Sequence, residues 1–512
     1  STLHLWWARR PLVACRAAVY GALVPASQFI PENGPDNKKQ SLGRANAAKF
    51  VTRLCRYPKD SEPQEKAGIE QTIKEAQHHI LTAHAARLTA ETGKPVTVED
   101  IVAGRAPRPR VLDMFAGGGA IPLEALRLGC EAYALDLNPV AHIIQLCTLV
   151  YPQKYGKPEP TARGMTGPKN EKGETTWGGL DEEVRYWGNW VLEKVRAEIG
   201  DLYPPIPDPD FKPPKKGKGS KDDEDVFADP QKTMGFADDP QQRLKPQRGF
   251  LTPVAYLWTR TVGCKNPKCG ASVPLVKQTW LCEKTDRYVA LKMVAPKGKK
   301  KVRFDVVEAR TEKELGFDPE AFSKAGNATC PFCGAVADSD YVKAEGCAGR
   351  MAKELMAVVA RSASTGRTAY FPPSAITDAA PDDNHLRARI TALLQSVGRS
   401  SPDAPILEDA KSSCWCRLYG IDAFSKLYLP RQFLCLLALS ETIRRARKSM
   451  EYGHIERSAA VATYLALAVD RVANYSTTLC VWRTTRTCVL PTFSRQALPM
   501  AWDFGEMNPF CG

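Results

Sequence analysis

Short apolar runs broken by glycine mark the stretch from Arg110 to Val150, which reads RVLDMFAGGGAIPLEALRLGCEAYALDLNPVAHIIQLCTLV. Val111, Leu112, Met114 and Phe115 predict a short buried strand. Gly117, Gly118 and Gly119 then predict a turn, and IPLEALRLG a helix with Pro122 in its first turn and Gly129 at its end. A second short strand, Glu131 to Leu135, finishes on Asp136, and Asn138-Pro139 opens another helix. Strand, glycine turn, helix, strand and acid form the opening unit of a nucleotide-binding α/β sheet.

The remaining pattern predicts further elements. Leu12, Val13, Val19 and Leu23 predict an amphipathic helix behind the basic, aromatic opening STLHLWWARRP. Residues 31–65 are polar and rich in Pro, Asn and Lys, and read as loop. Gln71 to Thr92 read as a helix; its His78, His79 and His84 lack metal-ligand spacing and read as surface residues. Val184, Trp187, Val191 and Val195 lie on one stripe of a helix from Leu180 to Ile199. Residues 203–247 break into blocks of proline, lysine and acid that bury too little apolar surface to order themselves. Beyond them, PVAYLWTRTVGC reads as a strand running into Cys264. The mixed stretch 360–409 offers only TAYFPPSAITD as a short strand or binding loop. Two long helices with apolar faces follow, over 427–450 and 456–476; the first ends in Arg444, Arg445, Arg447 and Lys448, a solvated helix end or a phosphate contact. The final FSRQALPMAWDFGEMNPF reads as structured.

Length divides the chain. Its 512 residues exceed one ordinary core, and the pattern suggests four parts. These are an N-terminal helix with a cofactor-binding α/β half (1–202), a linker (203–250), a cysteine-bearing module (251–350), and a helical segment leading into the second half of the α/β domain (351–512). A formal net charge of +14 favours an anionic partner, most commonly nucleic acid. No apolar run reaches the roughly 18 residues that span a membrane. The opening ARRPLVACRAAVYGALVPAS imitates a secretion signal, but Arg16 interrupts its apolar stretch, so we read it as a helix of a cytoplasmic protein.

Most of the 16 cysteines stand singly in apolar segments, Cys15, Cys130, Cys147 and Cys435 among them, as buried free thiols of a reducing compartment do. Four differ. Cys264 and Cys269, in CKNPKCG, and Cys330 and Cys333, in CPFCG, are two pairs each followed by glycine. Such turns aim two thiolates at one ion, and two of them close a structural, tetrahedral zinc site. The interval between the pairs holds PKGKKKVRF, a polybasic hairpin-like excursion. Coincidental buried thiols or a redox pair are the plainer alternatives. Cys282, Cys347, Cys414 and Cys416 have no matching partner turn.

At the glycine turn a pyrophosphate site would want G-x-G-x-x-G, but Pro122 takes the third place, against NAD or FAD. Asp136 follows Gly119 by 17 residues, near the roughly 20 expected of a ribose-binding acid. D-x-F-A-G-x-G is instead the pattern of S-adenosylmethionine (SAM) methyltransferases; an unrelated glycine-rich turn is the alternative. Over nearly its whole length the chain resembles the zinc-ribbon-containing adenine-specific DNA methylases. The matching text is STLHLWWARRPL, DMFAGGGAIPLEALRLGCEAYALDLNP, PVAYLWTRTV with its two cysteine turns, AVATYLALAVDRVANY, and FSRQALPMAWDFGEMNPF.

The resemblance implies a Rossmann-like SAM-dependent methyltransferase sheet with an inserted zinc-ribbon module and additional helices. It implies SAM as methyl donor, Zn2+ as structural ion, and transfer to adenine N6 in DNA, in a setting of restriction-modification or phage defence. Carried over by position, Asp113, Phe115, Ala116, Gly117, Gly118 and Gly119 would line the cofactor, with Asp136 on its ribose and Leu137 beside it. Cys264, Cys269, Cys330 and Cys333 would hold the zinc. The family's D/N-P-P-Y/F loop, which grips the target amine and stacks on the flipped base, has no counterpart: YPPI and FPPS lack its acid or amide and its aromatic residue. The expectation is that this loop lies in a segment beyond Gly512, and no catalytic residue is assigned. A non-catalytic DNA-binding subunit of a methylase or defence complex, and a methyltransferase acting on RNA, are the alternatives.

Overall fold

A computed structural model describes residues 6, 10–57, 63–157, 179–211, 249–320, 326–362, 366–376, 379–408, 413–450, 455–494 and 497–511. The protein is mixed α/β with several separate sheets, in two compact units: residues 1–184 with Ala459–Tyr464, and residues 185–458 with 465–512.

The first unit contains α1 (Leu12–Leu23), α2 (Asp36–Leu54), α3 (Pro63–Thr92) and α4 (Val98–Val102), followed by β1 (Arg110–Asp113), α5 (Ala120–Arg127), β2 (Glu131–Ala134), α6 (Pro139–Gln145) and α7 (Tyr151–Tyr155). β1 and β2 pair in parallel, from Arg110 opposite Glu131 to Asp113 opposite Ala134. Val19, Tyr20, Phe50, Leu54, Ile73, Ile80 and Leu128 form the core, and Val111 and Ala132 pack on it from one face of the strand pair. The other face is bare. Leu112 is 59% exposed and Phe115 84%, so the strand is not buried as expected. A parallel pair covered on one side leaves every second residue in water.

Three other expectations are corrected here. Residues 36–54, expected as loop, are helical because Phe50 and Leu54, one turn apart, reach the core. His84 is buried, its Nε2 3.0 Å from the Pro107 carbonyl, and His79 lies among Tyr20, Phe29 and Phe50; only His78 is exposed. Arg16 does not merely interrupt an apolar stretch. Its Nε donates to Glu124 at 2.6 Å and its Nη1 to the Leu54 carbonyl at 3.0 Å, which joins α1 to α5.

The second unit begins within α8 (Leu180–Ile199), whose Trp187, Val191 and Val195 are buried as the stripe predicts. There follow β3 (Ile206–Pro207), β4 (Phe250–Gly263), β5 (Ser272–Pro274), β6 (Trp280–Lys284), β7 (Arg287–Val294), β8 (Arg303–Ala309), β9 (Ala328–Thr329), β10 (Val336–Ala337), α9 (Ser339–Cys347), β11 (Ala352–Arg361) and β12 (Thr368–Phe371). The rest is α10 (Asp383–Ser396), α11 (Pro430–Met450), α12 (Ile455–Tyr475, partly in the first unit), β13 (Trp482–Arg483), β14 (Cys488–Val489) and β15 (Asp503–Met507). β4 is the spine of an antiparallel sheet ordered β12-β11-β4-β15, with β3 and β5 also on β4. The expected linker therefore starts late: Tyr203 and Ile206 are buried, and β3 pairs with β4. Residues 212–248, the bulk of that linker, lie outside the described residues.

β6, β7 and β8 form a separate antiparallel meander. Its Val289, Leu291 and Phe304 share a core with Leu257, Ala357 and Val359 of the main sheet. In the C-terminal stretch, Glu506 on β15 takes two bonds from buried Arg431 on α11, at 2.8 and 2.7 Å, and one from Trp258 Nε1 at 2.9 Å. Arg431 also lies over the Tyr256 ring at 4.1 Å, so neither buried charge is left unpaired. No described helix is long and apolar enough to cross a membrane.

Candidate cofactor and metal sites

The two strand ends of the first unit converge on one small constellation. Leu135 N–H donates to the Asp113 carbonyl and Ala116 N–H to the Leu135 carbonyl, both at 2.9 Å, which extends the parallel ladder into the glycine turn. Asp136 then grips the turn: its carboxylate takes Gly117 N–H and Asn138 N–H, each at 2.8 Å. The Asp113 side chain accepts Phe115 N–H at 3.1 Å. Asn138 caps α6 through Val140 N–H, as Asn-Pro at a helix start does. Asp113, Gly117 and Asp136 are thus brought together, 19 residues apart for the last two. Ala116 is buried beneath them, while Phe115 and Leu137, the latter 97% exposed, flank the group in water.

The three glycines differ in kind. Gly117 and Gly119 have φ of 50° and 80°, which side chains resist. A β-carbon on Gly119 would stand 3.2 Å from Leu149 Cδ1, and one on Gly118 would meet only ordinary contact at 3.7 Å. A β-carbon on Gly117 would stand 2.6 Å from Nε1 of Trp6. The indole of Trp6 therefore lies over the turn where a cofactor is expected. Sequence reasoning read the opening as a basic, aromatic stretch ahead of a helix and did not single out Trp6; the signal was the tryptophan pair Trp6-Trp7 ahead of Arg9-Arg10.

In the second unit the cysteine turns meet. The sulfurs of Cys264, Cys269, Cys330 and Cys333 all lie within 4.8 Å of one another, with Cys264 to Cys333 at 3.5 Å and Cys269 to Cys330 at 3.9 Å. Four thiolates bonded to one zinc at about 2.3 Å stand about 3.8 Å apart, so this donor set could hold a metal ion and fits zinc. The two turns are built alike. Cys264 N–H donates to the Ala271 carbonyl and Cys330 N–H to the Ala335 carbonyl, both at 2.8 Å. The glycines after each pair have φ of 60° and 75°; around Gly334 a β-carbon would meet nothing within 4 Å, so backbone conformation, not crowding, calls for it. The four thiols do not shift alike: the Ala335 N–H directed at Cys333 pulls its thiol down to about 7, while burial pushes Cys264 up to about 12, so the case for a metal rests on the sulfur geometry. Val262, Val273, Leu275, Ala328 and Val342 form a small core beside the cluster.

Among the described residues no other His, Cys, Asp or Glu group is arranged for a metal. Cys282 and Cys416 are buried thiols, as are Cys15, Cys130, Cys147 and Cys435. On α11, Arg445 lies 3.5 Å from Glu441 and 3.9 Å from Glu198, half exposed.

Residues 1–50 match a family described as "Protein of unknown function (DUF1156)". The match covers Trp6, Arg16 and most of α2. No curated protein and no solved structure matches the chain.

Proposed function

We propose that the chain is the cofactor-binding and zinc-ribbon portion of a SAM-dependent methyltransferase acting on adenine N6 in DNA. The observation that carries this reading is the parallel β1–β2 pair whose glycine turn is held by Asp136, the acid at the carboxyl end of the second strand. Ligands of open α/β sheets sit at those ends. Each Asp136 oxygen takes one backbone N–H and keeps acceptor capacity for a ribose hydroxyl. The exposed Phe115 and Leu137 offer apolar flanks to an adenine ring. On this reading β1, α5 and β2 open a Rossmann-like sheet, SAM supplies an electrophilic methyl group, and the four cysteines hold a structural zinc with no open position for chemistry.

A second reading has two observations in its favour. Trp6 takes up the space over Gly117, and both Asp136 oxygens already serve the turn. A scaffold that keeps the shape of a cofactor site without using it, within a DNA-binding methylase or defence complex, would look the same.

The test is methyl transfer from methyl-labelled SAM, comparing duplex DNA with structured RNA and analysing the nucleosides by mass spectrometry. Label in N6-methyladenine from DNA supports the first reading. Label in RNA alone overturns the substrate; because the chain has no counterpart of the D/N-P-P-Y/F loop, cofactor binding tells the scaffold apart, and a chain that binds duplex DNA but no SAM moves the assignment to it.

A further inference from the structure

We propose that the first cysteine turn and the β7–β8 hairpin together form a phosphate-binding face for duplex DNA. The choice of DNA rests on the function proposed above; the face itself rests on the geometry of the second unit.

The two segments are distant in sequence and joined in space. Ser272 N–H, just past the Cys264–Cys269 turn, donates to the Lys300 carbonyl at 2.8 Å. A β-carbon on Gly270 would stand 3.1 Å from Lys300 Nζ. The cysteine turn that carries Lys268 therefore adjoins Lys300 of the hairpin, and Lys268, Lys299, Lys300 and Lys301 are all exposed. Among the described residues none of them forms an ion pair, although the chain holds several. The acids nearby are accounted for. Asp338 is taken by Lys265, and Glu354 faces Lys301 but is half-buried, and burial pushes its carboxyl up.

A run of lysines is ordinarily a solvated face. These lysines are held differently. Val302 and Phe304 are buried in the core, so the loop carrying Lys299, Lys300 and Lys301 is anchored where it enters β8. The metal-ligating turn fixes the other edge. Exposed lysines on a backbone anchored at both edges suit a row of backbone phosphates, because little backbone order is lost on binding. The segments 264–270 and 295–303 contain no aromatic residue. Unpaired bases would need such a platform for stacking, so the face fits the backbone of a duplex and positions it without reading sequence.

The experiment is fluorescence anisotropy of a labelled duplex titrated with the zinc-loaded full chain over a range of salt. Replacing Lys268, Lys299, Lys300 and Lys301 together by Ala is expected to weaken binding on the order of tenfold or more at ~100 mM salt. It should also lower the slope of log affinity against log salt by about 3 to 4, near 0.9 per phosphate contact. Replacing the same four by Arg should keep both. Arg444→Ala with Lys448→Ala on α11 should change neither. Zinc content and thermal midpoint, measured on the same variants, show that each remains folded, and SAM binding reads the cofactor assignment separately. A chain that binds DNA through these lysines but does not bind SAM keeps this face and loses the proposed reaction; one that binds SAM with the lysines immaterial does the reverse. The proposal is overturned by an unchanged affinity and slope in the Ala variant, by transfer of the loss to the α11 variant, by absence of duplex binding at low salt, or by preference for structured RNA.

Discussion

The indole of Trp6 stands where a β-carbon on Gly117 would have to go, 2.6 Å from that position. The bare backbone of the turn is thus used twice: by an aromatic side chain from the N-terminal segment, and by the carboxylate of Asp136 on its N–H. Gly117→Ala should therefore suffer both a left-handed φ of 50° and a collision, together about 1–3 kcal/mol. Measured as SAM affinity and thermal midpoint, much of that loss should disappear in a Trp6→Ala background. An additive double mutant would separate the two residues.

Arg16 and Glu124 are both buried, and Arg127 is the only other charge bonded to Glu124 among the described residues. Arg16→Ala leaves the buried Glu124 with only the part-exposed Arg127 as a charged partner and should cost about 1–3 kcal/mol, while replacing both Arg16 and Glu124 by apolar residues should cost less. Hydrogen exchange is the measurement. The amides of α1 and α5 should exchange faster in Arg16→Ala, and those of β4 and β11 should not change.

Metal analysis should find one zinc per chain. Cys330→Ser should lose it, as should chelation, because thiolate ligation and local folding are one equilibrium in sites of this kind. Loss of protection in β5, β9 and β10, whose core adjoins the cluster, should accompany removal of the ion.

Asp503 supplies a pH test. Burial pushes its carboxyl up to about 6, against the pull of Lys277 N–H at 2.8 Å and Gln278 N–H at 3.4 Å. A raised acid favours the fold while protonated. Its contribution is complete below the ordinary carboxylate range near 3.8 and is lost as pH rises through about 6. Asp503→Asn should thus gain stability relative to the native chain between pH 4 and 6, by up to about 3 kcal/mol. Urea unfolding at stepped pH reads the difference, and a constant difference would contradict it.

What was legible in the sequence is what neighbours determine. Gly129 ends α5 at φ 81°, Asn138 caps α6, and each pair of cysteines closes its own turn. What was not legible depends on distant partners. Arg16 read as an interruption because Glu124 lies 108 residues away, and His84 read as surface because its partner is the Pro107 carbonyl. The helix over 36–54 was hidden by its polar composition, since Phe50 and Leu54 carry its contact with the core. Leu112 and Phe115 read as buried because apolar composition does not say which face of a strand is covered. The lysines of the hairpin were visible as a run, but not their seat beside Gly270.

The central claim is a cofactor pocket at the glycine turn, and calorimetry of SAM binding to the zinc-loaded chain tests it most directly. Binding is expected, and Asp136→Ala should weaken it by about 1.5–3 kcal/mol, roughly ten- to a hundredfold, the worth of a charged acceptor. A folded, zinc-loaded chain that binds no SAM, or binds it equally well without Asp136, would contradict the account.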